Sequence, residues 1–265
     1  MANRTGTNAA DTLIGTADAD SIEGLAGNDI LAGRGGPDTI WGAEGADRLL
    51  GDDGDDVLYG GFLTSPLMPG GDLGDTIRAG AGNDRADGGG GDDVICGQDG
   101  HDTLLGSIGN DTVHGGAGDD YILGGVNDIR FSGASDDDLL TGGAGNDTIF
   151  GAWGDDTIRG GPGSDSISGG PGDDRLDGGA GSDLLSGGDG ADTFVFRVGQ
   201  AGRDYVTDFQ VGVDRIELID TGRGEPSVAA AVLDGVAGTL LSWGVGTGHV
   251  FLAGVTCATL DQLLG

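Results

Sequence analysis

Aspartate recurs at one position of a nine-residue unit that fills most of the chain. The adjacent stretches GGPGSDSIS (160–168) and GGPGDDRLD (169–177) show the pattern, with Asp165 and Asp174 at position six. Twenty such units can be read between residues 6 and 195, and position six is aspartate in nineteen of them. These candidate metal ligands are Asp11, Asp20, Asp29, Asp38, Asp47, Asp56, Asp75, Asp84, Asp93, Asp102, Asp111, Asp120, Asp138, Asp147, Asp156, Asp165, Asp174, Asp183 and Asp192.

Carboxylates repeated in this way are suited to binding a hard divalent cation. If two units form one coil, aspartates of alternate units stack at about 4.8 Å. Two unit charges at that distance repel by about 1 kcal/mol in water and by more at a lower dielectric constant. Calcium takes six to eight oxygen ligands from carboxylates and backbone carbonyls, whereas magnesium demands a stricter octahedron. The sequence therefore predicts several Ca²⁺ sites, with Asp165 sharing ions with Asp147 and Asp183, and Asp174 with Asp156 and Asp192.

The other columns of the repeat predict the elements that position these carboxylates. Position eight is apolar in nearly every unit, as at Ile167 and Leu176, which is typical of a short strand with one inward side chain. The glycine-rich half supplies the positive φ angles of tight turns. Strand and turn alternate in a coil of eighteen residues, so we expect an all-β fold, a parallel β-roll (a right-handed β-solenoid of nonapeptide repeats) with a C-terminal β cap.

The units GGAGNDTIF, GGPGDDRLD and GGDGADTFV resemble the GGxGxDxUx signature of repeats-in-toxin (RTX, hemolysin-type) calcium-binding proteins, over about residues 6–195. The resemblance implies calcium held between adjacent turns by the position-six aspartates and turn carbonyls. It also implies type I secretion, with the type I secretion machinery as a transient partner and folding in the calcium-rich exterior. The start of the chain, MANRTGTNAADTL, lacks the apolar region of a cleavable N-terminal signal peptide, which fits an extracellular protein exported by that route.

The C-terminal part differs in composition from the repeats. Residues 196–220 resemble the segment that closes the roll in secreted serralysin-type metalloproteases, and 249–265 resemble a C-terminal end that precedes or forms the secretion signal. A solenoid needs a cover over its last sheet edges, and the alternating residues of 239–243 and 249–252 could form covering strands. We therefore divide the chain into a calcium-binding β-roll at 1–195 and a capping and secretion-signal region at 196–265.

Some units depart from the pattern. Ile129 replaces the aspartate in GGVNDIRFS and would lie between Asp111 and Asp147, so we expect missing or weak calcium sites there. The first two units lack glycine at position four, and Leu73 takes that place in the unit of Asp75, so their sites are expected to be weaker. Residues 60–69, with Phe62, Leu63, Leu67 and Met68, are read as a loop that interrupts the roll, and a small interaction patch there stays open.

Charge and cysteine content exclude several classes of protein. The formal net charge of −33 argues against nucleic acid or anionic membranes as partners, since both require basic surfaces. No stretch of about 18 apolar residues is present, so we expect no membrane span. Cys96 and Cys257 are too few for a disulfide framework or a zinc cluster. They could form one bridge, but two unrelated thiols are the favoured interpretation.

Catalytic motifs are absent from the sequence. There is no HExxH, no GxSxG and no GK[ST], and His101, His114 and His249 are the only histidines. We predict that the protein is not an enzyme but a stand-alone secreted calcium-binding β-roll. Two alternatives stay open: a separately encoded accessory module of a secreted protease, lipase or alginate epimerase, and an adhesin or surface-layer component. An extracellular polysaccharide or surface partner is also left open, although no basic or aromatic stripe is evident.

Overall fold

In the computed structural model, parallel strands alternate between two long sheets. The structure describes residues 2–61, 73–125, 136–197, 200, 202–219, 227–233, 235–243, 248–255 and 263. Within these ranges no helix is long and apolar enough to cross a lipid bilayer. The all-β solenoid expected from the repeats is confirmed.

The first sheet has fourteen strands. In spatial order they are β1 (Asn3–Thr5), β3 (Ser21–Ala26), β5 (Thr39–Glu44), β7 (Val57–Tyr59), β9 (Arg85–Gly90), β11 (Thr103–Ile108), β13 (Tyr121–Gly125), β15 (Thr148–Phe150), β17 (Ser166–Pro171), β19 (Leu184–Asp189), β21 (Arg203–Val206), β25 (Gly248–Ala253), β24 (Val236–Trp243) and β23 (Ser227–Leu233).

The second sheet has eleven strands. In the same spatial order they are β2 (Thr12–Ile14), β4 (Ile30–Gly35), β6 (Arg48–Asp53), β8 (Thr76–Ala81), β10 (Val94–Asp99), β12 (Thr112–Ala117), β14 (Leu139–Ala144), β16 (Thr157–Pro162), β18 (Arg175–Ala180), β20 (Thr193–Arg197) and β22 (Arg215–Ile219). Successive units of the repeat therefore enter opposite sheets.

The register of the strands establishes the eighteen-residue coil. β17 pairs in parallel with β19 so that Ile167 lies beside Leu185. In the other sheet β16 pairs with β18, and Ile158 lies beside Leu176. Most strands are six residues long rather than three, because the ladder continues through the first three positions of the next unit.

Position eight forms the core between the sheets. Its side chains are buried and make one apolar stack along the roll, from Ile22 through Ile95 and Leu140 to Phe194. Even Ala86, the smallest member, is fully buried. Each coil thus contributes only two apolar side chains to the core, so the hydrophobic stabilisation of a coil is small and other interactions must supplement it.

The first interruption of the roll lies two residues later than the sequence pattern predicts. Gly60 and Gly61 are hydrogen-bonded to the next coil, to the carbonyls of Asp87 and Gly88 at 2.8 and 2.9 Å. A Cβ on Gly60 would lie 2.3 Å from Asp75 Oδ2, the relationship of position one to position six. The loop at 60–69 is corrected accordingly: the extra residues enter after Gly61, and the candidate patch (62–69) lies outside the described residues.

The expected placement of Ile129 between Asp111 and Asp147 in the row of aspartates is also wrong. The backbone N–H of Asp111 donates to Asp138 Oδ1 at 2.8 Å, across 27 residues instead of 18. β12 pairs directly with β14, so Val113 lies beside Leu140. Nine extra residues therefore enter after Gly125, and the row of aspartates continues without Ile129, which lies outside the described residues. The physical reason is that the roll keeps its stacked hydrogen bonds when a defective unit is left out of the ladder.

The C-terminal end is a cap of the expected kind. β21 and β22 continue the two parallel sheets beyond residue 195, pairing with β19 and β20. β25 then adds to β21 in parallel, and β24 and β23 follow as antiparallel strands. The strands expected at 239–243 and 249–252 are present within β24 and β25. Leu241, Val250 and Leu252 are buried there and close the end of the core.

Candidate metal centre

From Asp29 to Asp192, each position-six carboxylate accepts a hydrogen bond from the backbone of the preceding coil. The backbone N–H of Asp147 donates to Asp165 Oδ1 at 2.9 Å, and that of Asp165 donates to Asp183 Oδ1 at 3.0 Å. The same bond recurs on the opposite edge, from Asp156 to Asp174 at 2.9 Å. Two rows of stacked carboxylates therefore run along the roll, one on each edge, and partners are one coil apart.

The second oxygen of these carboxylates has no donor in the interior of the roll. Among the described residues, the Oδ2 atoms of fourteen position-six aspartates are buried without a hydrogen-bond partner. They belong to Asp29, Asp38, Asp56, Asp84, Asp102, Asp111, Asp120, Asp138, Asp147, Asp156, Asp165, Asp174, Asp183 and Asp192. A buried, unpaired carboxylate oxygen is costly, so a regular row of them indicates that a positive charge belongs there.

Glycine at position one gives this oxygen its space. A Cβ on Gly160 would lie 2.2 Å from Asp165 Oδ2 and 2.5 Å from the carbonyl oxygen of Gly178 in the next coil. A carboxylate oxygen and a backbone carbonyl oxygen thus converge on the face of this glycine. The position-four glycine has a different role: at Gly163 φ is +156°, and a Cβ would lie 1.6 Å from the Gly145 carbonyl oxygen.

Burial raises the pKa of these carboxyl groups, and neighbouring aspartates add to the effect. The pKa reaches about 9 for Asp111, Asp138 and Asp156. Loss of solvation is the largest cause, ahead of the repulsion from the stacked carboxylates. The position-six aspartates with a pKa of about 7 are Asp84, Asp120, Asp165 and Asp174. Without a cation, the folded protein therefore disfavours the ionised form of these carboxyls.

The donor chemistry fits calcium. Among the described residues no three His, Cys, Asp or Glu side chains form one metal-binding cluster. An ion between coils would therefore combine the carboxylates with backbone carbonyl oxygens, and every available ligand atom would be oxygen. Oxygen-only coordination that includes carbonyls is the preference of Ca²⁺ rather than of Zn²⁺ or Cu²⁺.

The ends of the rows are built differently. In the first unit the N–H and Oγ1 of Thr7 donate to Asp11 Oδ2 at 2.6 and 2.8 Å. In the second unit Thr16 donates in the same way to Asp20 Oδ2, at 2.5 and 2.8 Å. Protein donors therefore occupy the oxygen that interior aspartates leave open, although the sequence pattern placed Asp11 and Asp20 among the ligands.

Sequence reasoning missed the last members of the rows. Asp204 Oδ1 accepts from the N–H of Asp183 at 3.2 Å, and Asp214 Oδ1 accepts from that of Asp192 at 3.1 Å. The Oδ2 of Asp214 is bonded to the N–H of Gln210 at 2.7 Å, as at the first end. The signal was present in RDYV and VDRIE, where aspartate stands two residues before an apolar residue, but the glycines that mark a unit are absent.

Position five carries a second, solvent-exposed row, although the residue type at this position varies along the sequence. Asn83 Oδ1 accepts from the N–H of His101, and His101 Nδ1 accepts from the N–H of Asp119, both across 18 residues. Asp173 Oδ1 accepts from Ala191 N–H at 2.8 Å on the other edge. His101 is therefore a link between coils. Cys96 is a half-buried free thiol, and Cys257 lies outside the described residues.

Comparison with known structures finds two partial similarities. A subunit (AlgE6R3) of the Azotobacter vinelandii mannuronan C5-epimerase is 34% identical, with a TM-score of 0.37, over 48% of this chain and 78% of that one. The extracellular lipase LipA from Serratia marcescens is 18% identical, with a TM-score of 0.35, over 92% of this chain and 41% of that one. No curated protein matches the chain.

A family model for the RTX calcium-binding nonapeptide repeat matches six stretches that together cover more than half of the chain. The matched residues are 5–40, 33–62, 69–104, 97–128, 132–167 and 159–194. They contain both rows of stacked carboxylates, from Asp11 to Asp192. The chain belongs to the RTX family of calcium-binding repeat proteins, and its nonapeptides bind several Ca²⁺ ions.

Proposed function

We propose that this protein is a secreted β-roll that folds when it binds Ca²⁺ outside the cell. The nineteen position-six aspartates are the proposed side-chain ligands, with the interior of the two rows as the main sites. The observation that carries the proposal is the row of buried Oδ2 atoms without a hydrogen-bond donor. At the ends of the rows, Thr7, Thr16 and Gln210 supply the donors instead.

Calcium binding and folding are coupled in this proposal because the same carboxylates must be stacked to fold and neutralised to stay stacked. Each coil buries two position-eight side chains, which is little apolar area to offset the ordering of eighteen residues. An ion between coils supplies the positive charge, and its binding free energy becomes folding free energy. At low calcium the unfolded chain is favoured.

We infer export from the same dependence of folding on calcium concentration. A chain that stays unfolded in a calcium-poor cytosol can be threaded through the type I secretion machinery, and the exterior then supplies the ion. The family match and the resemblance of residues 249–265 to a secretion signal support extracellular localisation. The proposal assigns no catalytic step to the chain, and its role is that of a calcium-stabilised extracellular module.

Far-UV circular dichroism during a calcium titration tests the coupling. The full chain should show little β signal in EGTA, gain it cooperatively with Ca²⁺, and lose it when EGTA is added again. Magnesium at the same concentration is the control and should have a much smaller effect. A β spectrum that is the same in EGTA and in calcium would contradict the proposal.

A further inference from the structure

A groove on the first sheet stands apart from the calcium-binding edges. It has a volume of about 420 Å³ and spans the outer face of β1, β3, β5 and β7. In-register pairing places Thr5, Glu23, Trp41 and Tyr59 in one row across these four strands. Three strand spacings of about 4.8 Å make such a row about 14 Å long.

Two aromatic rings occupy one end of this row. The ring centroids of Trp41 and Tyr59 are 6.1 Å apart, and the ring planes are within 9° of parallel. Trp41 remains 38% exposed, although stacking against Tyr59 covers part of its surface. The roll does not need these rings for its core, which is formed by position eight on the other face of the strands. Exposed aromatic rings in a groove are typical of a binding surface.

The polar groups of the groove lie around the rings. Asn3, Thr5, Ser21 and Glu23 line it and offer hydroxyl, amide and carboxylate groups. Within the described ranges the Glu23 carboxylate forms no ion pair or hydrogen bond with the protein. An apolar platform with hydrogen-bonding groups at its side matches a pyranose ring, which has an apolar C–H face and a rim of hydroxyls.

Charge favours a neutral ligand. Among the described residues that line the groove, Arg4 and Glu23 are the only charged ones, so the formal charge of the groove is zero. The groove therefore offers a polyanion no cluster of basic side chains to bind. We propose that the groove formed by Trp41, Tyr59 and Glu23 binds a neutral polysaccharide chain, with sugar rings stacked on the aromatic pair and hydroxyls donating to the carboxylate.

Isothermal titration of the full chain in calcium tests this, with cellohexaose and maltohexaose as neutral probes. At least one should bind, and Trp41→Ala and Tyr59→Ala should each weaken binding by about tenfold or more, as for a central aromatic anchor. Glu23→Gln should weaken it by a smaller factor. Phe150→Ala is the matched control, because Phe150 is 36% exposed on the same sheet beside Tyr121 but outside the groove. It should leave binding unchanged within about twofold.

Three results would overturn the proposal. One is the absence of binding to both neutral probes by chain that circular dichroism shows to be folded. Another is an equal loss in Trp41→Ala and Phe150→Ala. The third is Trp41-dependent binding of a guluronate hexamer or of a proline-rich decapeptide in place of the neutral sugars. The assay reads binding by the folded chain, so it is independent of whether calcium is needed for folding.

Discussion

Asp183 Oδ1 lies 3.0 Å from the backbone nitrogen of Asp165, eighteen residues earlier in the chain. Between them in sequence stands Asp174, which belongs to the opposite edge and pairs with Asp192. Consecutive repeats are therefore never neighbours at one edge. A substitution in one unit should affect the coils before and after it on its own edge and leave the adjacent repeat in sequence largely unaffected.

Asp165→Asn tests the interior of a row. The substitution removes a charge whose Oδ2 is buried without a donor, so the calcium-free chain should not be destabilised, while the calcium-bound form loses a ligand. We expect a higher calcium midpoint and a bound-ion count lower by one or two, measured by titration calorimetry. Asp173→Asn is the control, since exposed Asp173 uses Oδ1 only as an acceptor, which asparagine retains. Equal shifts in both variants would argue against a ligand role for Asp165.

Calcium affinity should increase with pH through the neutral range. The pKa of the buried carboxyls is raised to between about 6 at Asp192 and about 9 at Asp138, mainly by loss of solvation. A raised pKa means that the folded, calcium-free chain holds protons that the unfolded chain releases, so its stability is greatest in acid and is lost as pH rises through these values. Calcium requires ionised carboxylates and must displace the protons.

The measurement is calorimetry of calcium binding in two buffers with different ionisation enthalpies, between pH 6 and 8. Proton release should be largest near pH 6, where the calcium-free chain is most protonated and therefore most folded, and it should diminish towards pH 8. Acidification of the calcium-free chain should also increase its β signal. Affinity that does not change between pH 6 and 8, with no net proton release, would show that the carboxylates are already ionised in the free protein.

Thr16→Val tests whether the aspartates at the end of a row bind calcium as those in its interior do. It removes the hydroxyl that donates to Asp20 Oδ2 at 2.8 Å and keeps the side-chain shape. We expect a loss of about 1 kcal/mol in the free energy of unfolding, with no change in the number of bound ions. Thr157→Val is the matched control, because Thr157 is an exposed strand residue in the middle of the roll. A drop in ion count for Thr16→Val would instead place a calcium site in the first coils.

Gly160→Ala should abolish binding at one pair of coils. Its Cβ would lie 2.2 Å from Asp165 Oδ2, so the carboxylate or the strand must move. We expect the calcium midpoint to rise and the thermal midpoint in calcium to fall by several degrees. In Gly35→Ala the nearest atom to the new Cβ is 3.7 Å away, and the change should be within about 0.5 kcal/mol. Equal tolerance of the two alanines would show that position one has no special packing.

The periodic part of the molecule could be predicted from the sequence because one physical constraint recurs in every unit. Asp165 and Ile167 occupy the same environment as Asp183 and Leu185, so a column of residues reports directly on burial and stacking. Asp204 and Asp214 escaped notice because the cap keeps the stacked carboxylate but not the glycine turn. The hydrogen-bonded row at His101 was missed for another reason: several residue types accept a hydrogen bond equally well, so the column looks variable.

The groove at Trp41 could not be read from the repeat at all. Its row joins residues eighteen apart at position nine, where the side chain faces solvent and the pattern leaves the residue free. Only the pairing of strands shows that Glu23, Trp41 and Tyr59 are lateral neighbours.

Both interruptions of the roll enter at the same corner, after Gly61 and after Gly125, where the chain passes from the first sheet to the second. The coil that follows each one resumes with its carboxylate in the row, at separations of 28 and 27 residues. An additional nonapeptide at this corner can therefore be accommodated without interrupting the row of carboxylates. The chain can therefore become longer at this corner without a change in the number of stacked coils. We expect a foreign peptide of similar length to be tolerated there, with the calcium sites on either side retained.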